Sequence, residues 1–175
     1  MRNRTTKFAA LAVFGLLAAG FAFASSTATS NMSVTASIAN NCTISASPLA
    51  FGAYDPIGAN ASTALTTTTS IAVNCTNGDS TTVTLGQGNH AAGDSTDASP
   101  DRRMLATVNL TSYYLSYTLI QPDDSTPWGN TSGTGVGYSG TGTAGSLTVN
   151  GSVPANQNGL PAGSYSDTVV ATITF

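Results

Sequence analysis

Apolar residues in this chain recur at every second position, and that period decides what it can fold into. "TSIAVNCT" sets Thr69, Ile71, Val73 and Cys75 on one face, and "TTVTLG" does the same with Val83 and Leu85. "SYYLSYTLI" aligns Tyr113, Leu115, Tyr117 and Leu119, and "GSLTVNG" adds Leu147 and Val149. The closing "SYSDTVVATITF" puts Tyr165, Val169, Ala171, Ile173 and Phe175 on a single side. Such alternation marks strands with one buried face, and the clusters "NGDS", "QPDDSTP" and "VNGSVP" supply turns between them. No window of eleven or more residues after position 24 carries a helical stripe. The expected fold is an all-β sandwich around one core.

Another alternating stretch, "NMSVTASIANNC", stands unusually close to the start. The residues before it explain why. Arg2, Arg4 and Lys7 precede an apolar run from Phe8 to Phe23 that closes on Ala22-Phe23-Ala24. This is the order of a secretory signal, with cleavage expected after Ala24; the run falls short of the roughly 20 residues a spanning helix needs. Beyond residue 24 only Arg102 and Arg103 are basic, against eight acidic residues that are all aspartate. An acidic chain without a basic patch excludes nucleic acid and anionic lipid as expected partners. Export to an oxidising compartment makes a Cys42–Cys75 disulfide the expected state of the two cysteines, and such a bridge stabilises by roughly 3 to 4 kcal/mol in the chain-entropy model.

Chemistry is nearly absent. There is one histidine and no glutamate, so acid-base catalysis would fall to His90 with an aspartate such as Asp94, and nothing places a serine on a sharp elbow beside them. Asp94, Asp97 and Asp101 could supply oxygen ligands to calcium, but the order of an EF-hand loop is missing. No catalytic residue, metal or cofactor is expected. The Asn-x-Ser/Thr matches at Asn60, Asn109 and Asn130 carry no weight in so Ser/Thr-rich a chain. The runs Gly86 to Asp101 and Trp128 to Gly145 are expected to be loops, the second a flexible Gly-rich connection.

Five fragments in order carry a family resemblance. They are "NNCTISASPLAFGAYDP" with Cys42, Leu49, Phe51, Gly52, Tyr54 and Asp55; "IAVNCTNG" with Cys75; "TLGQG" followed by "RRML"; "LSYTLIQPDDSTPWG" with Trp128 and Gly129; and "AGSYSDTVVATITF". Together they resemble the spore coat protein U domain family, which includes the pilin subunits of archaic (Csu-type) chaperone-usher pili. Ile120 departs from the family's pattern, which often has Tyr there.

The resemblance implies an immunoglobulin-like sandwich of the incomplete pilin type, open along a groove and completed by a donor strand. It implies a signal peptide at 1–24, a donor-strand extension at 25–40 and the domain proper at 41–175. Met32, Val34, Ala36 and Ile38 would plug the groove of a neighbouring subunit, while Tyr165, Val169, Ala171, Ile173 and Phe175 form the C-terminal strand beside it. That strand is expected to end on Phe175 with no residue left to fold back. The alternative is that Asn31 to Ile44 is the first strand of the chain's own sandwich. The implied partners are neighbouring pilin subunits in a homopolymer, a periplasmic chaperone and an outer-membrane usher, with export through the periplasm to a cell-surface pilus. The implied role is structural, in adhesion and biofilm formation; a coat or other outer-surface protein and a tip adhesin are the alternatives.

Overall fold

The computed structural model describes residues 24–175, so the expected signal at 1–24 lies, but for Ala24, outside the described residues. Among the described residues, 24–36 and 37–175 belong to separate units. In the first, residues 24–36 adopt no regular element, and Met32 and Val34 are exposed. In the second, the chain reaches Asn41 before its first strand begins.

Eight strands follow: β1 (Cys42–Ala46), β2 (Leu65–Cys75), β3 (Ser80–Leu85), β4 (Arg102–Val108), β5 (Thr111–Ile120), β6 (Val136–Ser139), β7 (Gly145–Val153) and β8 (Ala171–Thr174). They make an antiparallel five-stranded sheet in the order β1-β2-β7-β5-β4 and an antiparallel three-stranded sheet in the order β6-β3-β8. There is no helix among the described residues. The alternation read from the sequence is the alternation that fills the core. Ile71, Val73 and Cys75 of β2, Val83 and Leu85 of β3, Leu115, Tyr117 and Leu119 of β5, and Val149 and Val153 of β7 meet between the sheets.

Cys42 and Cys75 are opposite one another in the β1–β2 ladder and are disulfide-bonded, with Cα atoms 4.2 Å apart. The bond closes one pole of the sandwich. There the chain entering the domain is held by Thr76, whose Oγ1 donates to the carbonyl of Asn41 and accepts from its N–H.

One expectation needs correction. Trp128 to Gly145 is not a flexible connection. Trp128 is 0% exposed, its Nε1 donates to the Val83 carbonyl at 2.9 Å, and Val136–Ser139 forms β6 against β3. The glycines serve close approach: a Cβ on Gly135 would overlap Thr82 and the Val83 carbonyl, and one on Gly140 the Thr76 carbonyl. β4 was not among the expected strands, because no alternating pattern announced it. Its inward residues run Arg102, Met104, Ala106, so a charge occupies the first apolar position.

Candidate functional site

Between β1 with the segment that follows it and the run leading into β8, the sandwich is open. Two adjoining cavities, of about 540 Å³ and 930 Å³, share Leu49, Phe51, Met104 and Tyr165 in their walls. One wall descends from β1 through Ser47, Pro48, Leu49 and Phe51; the other is Tyr165 to Ala171. Leu49 and Phe51 lie over β7 because Gly151 offers no side chain beneath them; a Cβ there would come within 2.6 Å of Leu49. Phe51 meets Tyr117 edge to face, with ring centroids 6.1 Å apart.

The C-terminal run forms the second wall in two steps. Ser166 first exchanges both backbone hydrogen bonds with Leu105 of β4. The carbonyls of Thr168 and Val170 then accept from Asn89 and Gly86, and β8 continues against β3. All these bonds are made by even-numbered residues or lie on the β3 side. The other edge of β8 pairs with no strand among the described residues. Tyr165, Val169, Ala171 and Ile173 turn inward and are half-buried, whereas Phe175 lies beyond β8 and is exposed. Of these five expected groove residues, only Ala171 and Ile173 lie within a strand.

Asp167 interrupts this apolar wall. Its carboxylate, with the side chain 2% exposed, takes hydrogen bonds from Asn89 N at 2.9 Å, His90 Nδ1 at 3.0 Å and Tyr117 Oη at 2.7 Å. Burial, followed by the hydrogen bond and charge of Asp167, pushes the Tyr117 phenol far above its usual range, so it remains a donor. Gly88, at φ +87°, leaves room for the carboxylate, which a Cβ would overlap.

Arg102 lies opposite Tyr117 on β4 and is 1% exposed. Its Nη2 donates to the carbonyls of Leu85, Gly86 and Trp128 at 2.7–2.8 Å, and its Nε to Gly86 at 2.9 Å. Desolvation lowers its pKa to about 10, opposed by the nearby Tyr117 and Asp167. The buried guanidinium therefore binds the end of β3, the start of the 86–101 loop and Trp128 into one unit. Arg103 continues this with bonds to the His90 and Ala91 carbonyls, its guanidinium 4.3 Å over the Tyr114 ring.

The chemistry considered from sequence is arranged differently. His90 faces Asp167, not Asp94. Asp97 accepts from Gln87 and Asn130, and these bonds hold its carboxyl below the usual range. No group of three or more potential metal-ligating side chains comes together among the described residues. Sequence reasoning missed Asp167, although the signal was present: it is a charged residue at the inward parity of an otherwise apolar run.

Comparison with known proteins supplies three findings. The Spore Coat Protein U domain family matches residues 28–172. Protein U of Myxococcus xanthus is 43% identical over 158 residues, covering 85% of this chain and 86% of that protein. A chain in the crystal structure of the CsuC–CsuE chaperone–tip adhesion subunit pre-assembly complex, from the archaic chaperone-usher Csu pili of Acinetobacter baumannii, superposes with a TM-score of 0.56 at 18% identity. That likeness covers 79% of this chain but only 40% of the solved one, and it extends to the fold.

Proposed function

The chain belongs to the Spore Coat Protein U domain family, and we propose that it is a structural subunit of a secreted surface fibre assembled by donor-strand exchange. The observation that carries this reading is the open groove beside an edge of β8 that pairs with no strand among the described residues. A sheet edge with half-buried apolar residues invites another strand, because the free backbone groups supply a ladder and the pockets select alternate side chains.

In this reading a periplasmic chaperone first lends a strand to the groove. At an outer-membrane usher the 25–40 extension of another subunit replaces it, presenting Met32, Val34, Ala36 and Ile38. Full burial of Met32, Val34 and Ile38 would contribute roughly 5 to 9 kcal/mol before the costs of ordering are deducted. The fibre serves adhesion and biofilm formation through its length rather than through a catalytic pocket.

Electrophoresis of surface fractions in SDS tests the proposal. Strand-complemented fibres are expected to give an oligomer ladder that collapses on boiling, and a chain lacking residues 25–39 is expected to fold with its chaperone without polymerising. Monomer alone in unheated samples would overturn the reading. The family's description favours a second possibility, a coat protein deposited as single subunits, which predicts that monomer.

A further inference from the structure

Among the inward positions of the groove's C-terminal wall, Tyr165, Asp167, Val169, Ala171 and Ile173, Asp167 alone is charged. Asp167 stands in sequence between Tyr165, which borders both cavities, and Val169, which borders only the smaller. Its carboxylate is already supplied by Asn89, His90 and Tyr117. A bulky apolar side chain pressed onto that point would find no pocket and would gain nothing from the buried polar cluster. On either side there is room.

Resting on the reading of the groove as an acceptor for another copy's extension, we propose that Asp167 sets the register of the incoming strand. Ala36 of the second copy lies opposite Asp167, which places Val34 opposite Val169, Met32 opposite Ala171 and Ile38 opposite Tyr165. The sizes agree along the whole strand. The smallest plug meets the closed polar point, the longest meets the small Ala171, and Ile38 enters the 930 Å³ cavity. Sliding the strand two residues one way presses Ile38 onto Asp167 and turns the polar Asn40 toward that cavity. Sliding it the other way presses Val34 there and brings the small Ala36 opposite Tyr165, where both cavities meet. A one-residue slip turns Ser33, Thr35 and Ser37 inward.

The strand's direction follows from where the chain enters its own domain. Asn41 is tied to Thr76 at the disulfide pole, and β8 runs toward that pole, since Thr174 pairs with Thr82 near the start of β3. A segment antiparallel to β8 leaves the groove at the opposite pole. The next subunit then stacks there, and the accepting subunit's own extension stays free for the following one. A parallel segment would crowd two extensions at one pole.

A cysteine walk reads the register directly. Directly opposed residues have Cβ atoms about 4.5–5.5 Å apart, close to disulfide reach, while diagonal neighbours are about 7–8 Å apart. Full-length chains carry Val169→Cys with one of Met32→Cys, Val34→Cys, Ala36→Cys or Ile38→Cys, leaving Cys42 and Cys75 in place. Mild oxidation of assembled fibres is expected to give a ladder that survives boiling without reductant for Val34→Cys. A strongest cross-link at position 32, 36 or 38 would overturn the register. Ala36→Leu, which leaves the domain untouched, is expected to lower fibre yield at least about tenfold at unchanged chaperone-bound yield; assembly equal to the unsubstituted chain would also overturn the proposal. Absence of any heat-labile ladder from the unsubstituted chain would instead mark failure of the acceptor reading itself.

Discussion

Tyr117, on the larger sheet, donates its phenolic hydrogen to Asp167 on the run that leads into the smaller sheet, at 2.7 Å. The bond fastens one wall of the groove to the floor beneath it. Tyr117→Phe removes the donor while keeping the ring against Phe51, and leaves a buried carboxylate short of one partner. The expected loss is about 1.5–3 kcal/mol in urea unfolding, the range for hydrogen bonds to charged groups.

The same bond has a pH signature. A phenol whose folded pKa lies above its unfolded value of 10.0 contributes stability that is fully present below pH 10 and is lost as pH rises toward the folded value. The unsubstituted chain is therefore expected to lose stability more steeply above pH 10 than Tyr117→Phe. Parallel alkaline stability curves for the two proteins would contradict this.

Gly88 and Gly52 allow the space around Asp167 to be probed separately from backbone strain. Both have positive φ, +87° and +79°, but only at Gly88 would a Cβ meet a neighbour, the Asp167 carboxylate. Gly52→Ala is expected to cost about 1–2 kcal/mol from the backbone alone. Gly88→Ala should cost clearly more, and equal unfolding midpoints for the two variants would remove the steric role assigned to Gly88.

At the β4–β5 turn, Asn109 and Leu110 have φ of 48° and 66°, and Leu110 is 99% exposed. A branched side chain in the left-handed region is strained, and here no packing compensates. Leu110→Gly is expected to stabilise by about 0.5–1 kcal/mol, the relief being partly offset by a freer unfolded chain. Thermal unfolding measures it.

Asp123 caps the turn after β5, accepting from the Thr126 hydroxyl and from the backbone N–H groups of Thr126 and Ser125. These bonds, the Thr126 hydroxyl first, lower its pKa to about 2 from 3.8. Because the folded value is the lower one, the cap's contribution is present above pH 3.8 and is lost as pH falls through about 2. An NMR titration of the Asp123 carboxyl with a midpoint near 3.8 would refute it.

How far the sequence disclosed this molecule depended on the kind of residue concerned. β2, β3, β5 and β7 were legible because each carries two or more successive apolar residues at inward positions and no charge there. β4 was not, because Arg102 occupies an inward position and its charge is satisfied by three backbone carbonyls distant in sequence. β6 was hidden by its glycines, which suit close packing as well as they suit flexibility, and composition does not separate the two. Tyr165, Val169, Ala171 and Ile173 could be placed on one face, but their half-burial depends on what does not pair with β8. Leu49 and Phe51 came only through the family resemblance. Periodicity did not announce the wall they form.

Cys42 is the first residue of β1 and Cys75 the last of β2, and the bond between them has a mechanical meaning for a chain pulled by its extension. Tension would enter each domain just before Cys42. β1 is a five-residue edge strand held on one side, and a strand pulled from its end peels one pair at a time. The disulfide locks the first of those pairs, so in the proposed fibre the load would pass to β2, whose 11 residues lie between β1 and β7. There the force would be shared by hydrogen bonds to strands on both sides. Reduced, the subunit would unravel from the point of attachment; oxidised, it transmits the pull to its centre.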